Sequence, residues 1–148
     1  MYEKILVPLD RSKRAEMIRP HVRELASRFQ ATVILIMVVE YIYADGIGEP
    51  YTSISEKAFK AKLKDNELYL NGVASKLQNK GIACKRIIAH GPVVEKIIEA
   101  ANTEDVDLIA MASHGYGGLT RIFYGSVAAG ILNRGERPLF IVRSRWSE

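Results

Sequence analysis

"VDLIAMASHGYGGLTRIFYGSVAAGILNRG", residues 106–135, decides the fold. Its first part, "VDLIAMAS" (106–113), is a short continuous apolar run of strand length. Its last part, "SVAAGILNRG" (126–135), reads as a short helix that stops at Gly135. Between them lies a segment with Gly115, Gly117, Gly118 and Gly125. A buried strand running through glycines into a helix is one half of a β-α-β unit.

The same alternation extends in both directions. Upstream, "ACKRIIAH" (83–90) is strand-like, and "GPVVEKIIEAAN" (91–102) carries Val94, Ile97, Ile98 and Ala101 in helical period after Pro92. Downstream, "RPLFIVRS" (137–144) is a last strand. Toward the N-terminus come "KILVPLD" (4–10) and "TVILIMVVE" (32–40), both buried strands. Residues 12–29 form an amphipathic helix on Ala15, Ile18, Val22, Leu25, Ala26 and Phe29, with a kink expected at Pro20. Residues 55–80 form another helix on Phe59, Leu63, Leu70, Val73, Ala74 and Leu77, ending at Gly81. The segment 41–56 is a long polar and aromatic loop with Tyr41, Tyr43 and Tyr51; it reads as surface, or as a cover or dimer contact.

Nearly continuous apolar strands separated by helices imply a parallel sheet covered on both faces. With right-handed crossovers this is a doubly wound three-layer α/β/α sandwich. The 148 residues are expected to form one domain, 1–148. Hydrophobic residues make up 48% and charged residues 26%, enough apolar material for a core. No run approaches the roughly 20 apolar residues of a membrane helix, and "MYEKILVPLD" lacks a signal-peptide pattern. Cys84 is the only cysteine, which excludes an intrachain disulfide and favours a cytoplasmic setting. The net charge of +4 suits anionic ligands, but its basic residues are scattered, so nucleic-acid binding is disfavoured.

In such a sheet, ligands sit at the carboxyl ends of strands where the winding reverses. Asp10 ends the first strand and "MASHG" (111–115) ends the fourth. If these two strands are neighbours, both tips line one crevice. Glycines there let backbone N–H groups approach a ligand, and the helix opened by Gly125-Ser126 presents its unpaired amides to an anion. A phosphate cradle and an ordinary glycine-rich loop both satisfy these features. Ser126 reads either as a phosphate donor or as the N-cap of that helix. Asp10 reads as a ligand contact or as a helix cap, a role Ser12 also fits. Arg121 reads as a phosphate partner or a surface charge. His21, His90 and His114 are too far apart for metal spacing, and Glu104-Asp105 reads as a polar turn. Neither G-x-x-x-x-G-K-[ST] nor a GxGxxG after the first strand is present.

The chain resembles the universal stress protein family over nearly its whole length. The resemblance rests on "KILVPLD", "LASRFQATVILIMVVE", "HGPVVEKIIEAA", "DLIAMASHGYGGLTRIFYGSVAAGIL" and "RPLFIVR". ATP-binding members carry G-x-x-G, nine residues, then G-[ST]. Here Ala112-Ser113-His114-Gly115 is followed by nine residues and Gly125-Ser126, so Ala112 replaces the first glycine. That substitution matters most if the position needs positive φ or very close backbone approach.

The resemblance implies an adenine nucleotide alpha hydrolase-like sheet of order 3-2-1-4-5, which makes the first and fourth strands neighbours. It implies that ATP or AMP binds with Pro8, Leu9 and Asp10 at the nucleoside end, and with Val38, Met111 and Ala112 around base and ribose. His114 lies inside the motif. Gly115, Gly125, Ser126 and Val127 would hold phosphates, with Mg²⁺ accompanying a triphosphate. It further implies a homodimer through the last strand, 138–143, and a regulatory, stress-response role. No catalytic base stands out; a slow ATPase or nucleotide-transferring enzyme, and an interaction module without nucleotide, are the alternatives.

Overall fold

The computed structural model describes residues 1–40, 53–114 and 125–144, with side chains from residue 56 onward in the second segment. Five strands, β1 (Lys4–Pro8), β2 (Thr32–Val39), β3 (Cys84–His90), β4 (Leu108–Ala112) and β5 (Leu139–Val142), form one sheet of order β3-β2-β1-β4-β5. Every pairing is parallel. Among the described residues four α-helices connect them: α1 (Arg19–Phe29), α2 (Ser53–Gln78), α3 (Val93–Thr103) and α4 (Ser126–Arg134). The architecture is the α/β sandwich that the alternation of apolar runs and amphipathic segments requires.

The two sheet faces carry separate cores, because alternate side chains of each strand point opposite ways. Val7, Val33, Leu35 and Met37 pack with Val22 and Ala26 of α1 and with Leu70, Val73 and Leu77 of α2. Leu6, Ile34, Ile36 and Ile109 pack with Ile97 and Ala101 of α3 and with Ala128 and Ile131 of α4. β1, β2 and β4 are nearly fully buried, which is why they read as unbroken apolar runs.

One local expectation is corrected. Pro20 does not kink a continuous helix from 12 to 29. A 3-10 turn, Ala15–Ile18, comes first, and α1 begins at Arg19 with Pro20 in its opening turn. There a proline loses no helical hydrogen bond, since the first amides have no acceptor within the helix. At the far end of α2, Gly81 does stop the helix. Its φ is +80°, and the Ile82 and Gly81 amides bond back to the carbonyls of Leu77 and Gln78. Glu104 and Asp105 form the turn after α3, paired with Lys85 at 2.6 Å and Arg137 at 2.9 Å.

Candidate functional site

β1 and β4 are hydrogen-bonded neighbours only near their beginnings. Their register runs through Ile5↔Leu108 and Leu6↔Ile109 and goes no further. Beyond that point each strand keeps its outer neighbour instead. β1 follows β2 to Pro8↔Ile36, with the Leu9 amide on the Ile36 carbonyl at 2.9 Å. β4 follows β5 to Ala112↔Val142, with the Ser113 amide on the Val142 carbonyl at 2.8 Å. The register of β1 with β4 ends there, where Pro8 has no N–H to donate to the ladder. The β1/β4 boundary is the switch point of the sheet, between the strand whose connections run one way and the strand whose connections run the other.

The tip of β1 is fixed by short-range bonds. Asp10 Oδ1 accepts from the Ser12 amide at 2.9 Å, and Ser12 Oγ accepts from the Ala15 amide at 3.0 Å. Ser12 therefore closes the turn that leads into the 3-10 segment, whose N-cap position is Arg14, and Asp10 holds the bend before it. Arg11 between them takes φ 70°, a left-handed backbone that few non-glycine residues adopt.

The tip of β4 is fixed from a distance. Ser113 is buried, and its Oγ accepts from the Ser144 amide at 3.0 Å and lies 3.0 Å from His114 Nδ1. Ser144 Oγ in turn accepts from the His114 amide at 3.3 Å. The Ser113 carbonyl accepts from the Gly125 amide at 2.8 Å, which draws the start of α4 against the strand. A Cβ on Gly125 would stand 3.0 Å from that carbonyl oxygen. Its φ is −65°, so close approach rather than a left-handed backbone is what calls for glycine. Gly125 is also the N-cap of α4, and Ser126 is its first helical residue, exposed to solvent. Of the two readings of Ser126, the cap therefore falls to its neighbour. The amides of Ser126, Val127 and Ala128 have no acceptor within the helix, and its positive dipole end adds to them.

The expected site residues divide by the face they address. Val38, Met111 and Val127 belong to one cluster on the α3/α4 face, and Pro8 shares that side by alternation from Leu6. Leu9 is buried in the opposite core, among the α1/α2 residues, so only its backbone reaches the crevice. Ala112 is likewise buried, within β4. Among the described residues, left-handed backbone occurs at Arg11, Gln30, Asp105, Gly81 and Gly91, and not at Ala112. Alanine thus introduces no backbone strain at that motif position. His114 is half-buried beside Ser113. Gly115, Arg121 and the residues 41–52 lie outside the described residues. The hydroxyls of Ser113 and Ser144 were not singled out from sequence; their partners are 31 positions apart, beyond the reach of local pattern. His90 ends β3 against Phe59, and His21 is exposed on α1 near Phe140.

A parallel α/β sheet of order β3-β2-β1-β4-β5, with the start of α4 bonded to the tip of β4 beside the switch point, defines a doubly wound α/β protein. The model of the universal stress protein family matches residues 1–143, and the chain belongs to that family. A curated relative, universal stress protein MJ0577 of Methanocaldococcus jannaschii, is 29% identical over 157 residues, covering 98% of this chain and 97% of that protein. The solved structure of MJ0577 superposes with a TM-score of 0.84 at 31% identity, covering 99% of each chain. A universal stress protein family protein from Arabidopsis thaliana with AMP bound has a TM-score of 0.68 at 17% identity, covering 97% of this chain and 92% of that one. A universal stress protein in complex with cAMP has a TM-score of 0.69, also at 17% identity, covering 97% and 98%. At that identity the last two share the fold. No helix among the described residues is long and apolar enough to cross a membrane.

Proposed function

We propose that this chain binds an adenine nucleotide, ATP or AMP, in the crevice between the tips of β1 and β4. The observation that carries the reading is the 2.8 Å bond from the Gly125 amide to the Ser113 carbonyl. It seats the amide-rich start of α4 at the β4 tip beside the switch point, as a phosphate would need. The amides of Ser126 and Val127 and the Ser126 hydroxyl would take the phosphates. Val38, Met111 and Pro8 would form the apolar wall for the base, and Asp10 would meet the nucleoside. Leu9 and Ala112 would contribute backbone. Mg²⁺ would accompany the phosphates of ATP. The AMP- and cAMP-bound family structures support an adenine ligand.

The nucleotide would act as the signal of a cytoplasmic regulatory dimer. The half-buried edge strand β5 supports pairing of two copies there, because an apolar edge left open invites another strand. Calorimetric titration of nucleotide-stripped protein with ATP and Mg²⁺, and with AMP, tests the proposal. Saturable binding with a micromolar Kd is expected. Absence of heat with both nucleotides, on protein that is folded and of defined oligomeric state, would overturn it.

A further inference from the structure

A groove of about 480 Å³ lies between α1 and the carboxyl end of α2, on the outer face of the sheet's first core. Arg19, Pro20 and Arg23 line it from α1, Lys76 and Leu77 from the end of α2, and Lys80 from the turn after it. Pro20 and Leu77 supply apolar surface between four cationic side chains. The volume falls in the range of small-ligand clefts.

The charge arrangement is not what helix stability asks for. Arg19 and Arg23 are four residues apart, and so are Lys76 and Lys80. Arg19 and Arg23 are a like-charge pair on one face of α1, a spacing that repels; Lys80 lies in the turn past Gln78, so it and Lys76 gather at the end of α2. The lysines at least suit the negative end of α2. The arginines do not suit α1: Arg19 opens it, and its first turn holds no acidic residue. One carboxylate, Glu16, borders the groove, and its oxygen is shared between Tyr69 and Arg19. Its Oε1 accepts from the Tyr69 hydroxyl at 2.5 Å and lies 3.5 Å from Arg19 Nη1. Burial, followed by that hydrogen bond, pushes the Tyr69 hydroxyl up, so it remains a donor at any physiological pH. Arg23, Lys76 and Lys80 have no ion-pair partner among the described residues.

We propose that this groove is a second anion site, separate from the crevice, that takes a short chain of linked phosphates. Two planar guanidinium groups offer forked donors to phosphate oxygens, and two lysines add point charges opposite. A multivalent anion would meet all four cations together and relieve the Arg19–Arg23 repulsion. An extended acidic protein segment is the less fitting occupant, because the cations cluster in one compact cleft instead of forming a track.

The test is a titration of the ¹⁵N-labelled full chain with inorganic tripolyphosphate, followed by NMR. Saturable shifts are expected at the amides of Arg19 to Arg23 and Lys76 to Lys80. The double variant R23Q/K80Q, which changes only exposed side chains, should bind at least tenfold more weakly with an otherwise unaltered spectrum. Repeating the titration with ATP distinguishes the source. Shifts in the groove as well as at Ser126 to Ala128 support acceptance of a nucleotide's phosphate tail. Groove shifts with tripolyphosphate alone support a free oligophosphate. Shifts confined to Ser126 to Ala128, no saturation, or equal affinity in R23Q/K80Q would overturn the site. Tighter binding of an oligoglutamate peptide than of tripolyphosphate would overturn the ligand assignment.

Discussion

At the tip of β1, Asp10 accepts from an amide two residues away and Ser12 from one three residues away. At the tip of β4, Ser113 reaches Ser144, 31 positions on, and its carbonyl reaches Gly125, twelve positions on. The bend after β1 is closed by its own neighbours, though Leu9 below it still bonds Ile36 of β2. The tip of β4 exists only when β5 and α4 have docked, so it inherits the loop-closure cost of both connections. A largely local bend thus faces a tip assembled from three distant pieces. Substitutions that disturb the assembled tip should cost more, and should couple binding to stability.

The largest effect is expected from Gly125→Val. Its Cβ alone would stand 3.0 Å from the Ser113 carbonyl oxygen, and the branched methyls crowd further into His114. Overpacking of this kind costs about 1–3 kcal/mol. It also moves the α4 amides away from β4, so nucleotide affinity should fall at least tenfold. Thermal denaturation and calorimetry on the same sample read both quantities. Unchanged affinity would mean that the position of α4 does not matter to the ligand.

Next comes the pair Ser113→Ala and Ser12→Ala, measured by urea denaturation. Removing the Ser113 hydroxyl strips the Ser144 amide of its acceptor beside a buried residue, a loss of about 1–3 kcal/mol. Removing the Ser12 hydroxyl, which is also buried, strips the Ala15 amide of its acceptor in a local turn, a loss of about 0.5–2 kcal/mol. A larger loss in Ser12→Ala than in Ser113→Ala would reverse the contrast between the two tips.

The same contrast explains what could be read from the sequence. Strand positions and the parallel sheet followed from apolar runs such as "VILIMVV", which buried strands must carry on both faces. Ser12 was open to recognition because its bond acts within three residues. The order 3-2-1-4-5 came from family resemblance, since periodicity does not say which strands are neighbours. Pro20 misled because a proline amid helical periodicity signals a kink and a helix start equally. The periodic positions Ala15 and Ile18 fall on a 3-10 turn that continues the same buried stripe. The Ser113–Ser144 bond left no local trace, because either serine alone is an ordinary loop residue. The side-chain direction of Leu9 was, by contrast, available from strand alternation: Val7 and Leu9 share one face, while Leu6 and Pro8 share the other.

The smallest effect belongs to the opposite ends of the same two strands. Just before β4, Asp107 Oδ2 accepts from the amides of Lys4 at 2.9 Å and Glu3 at 2.8 Å, tying β4 to the start of β1 across the sheet. This tie is long-range, like the one at the β4 tip, but it lies near the surface where water competes for its partners. The Lys4 amide, followed by the Glu3 amide, holds the Asp107 carboxyl below its ordinary value. The ionised form is therefore the one that folding favours. Its contribution is complete above the ordinary carboxylate range of about 4 and is lost as pH falls through the lowered native value. Asp107→Asn keeps an acceptor oxygen but removes the charge, so the variant should be slightly less stable than wild type at neutral pH, by less than either serine variant. The gap should close on acidification. A gap that stays constant from neutral to acidic pH would show that the geometry of the tie matters and its charge does not. Long range in sequence would then be enough to make a strand tie costly to lose, and burial would drop out of the comparison between the two tips.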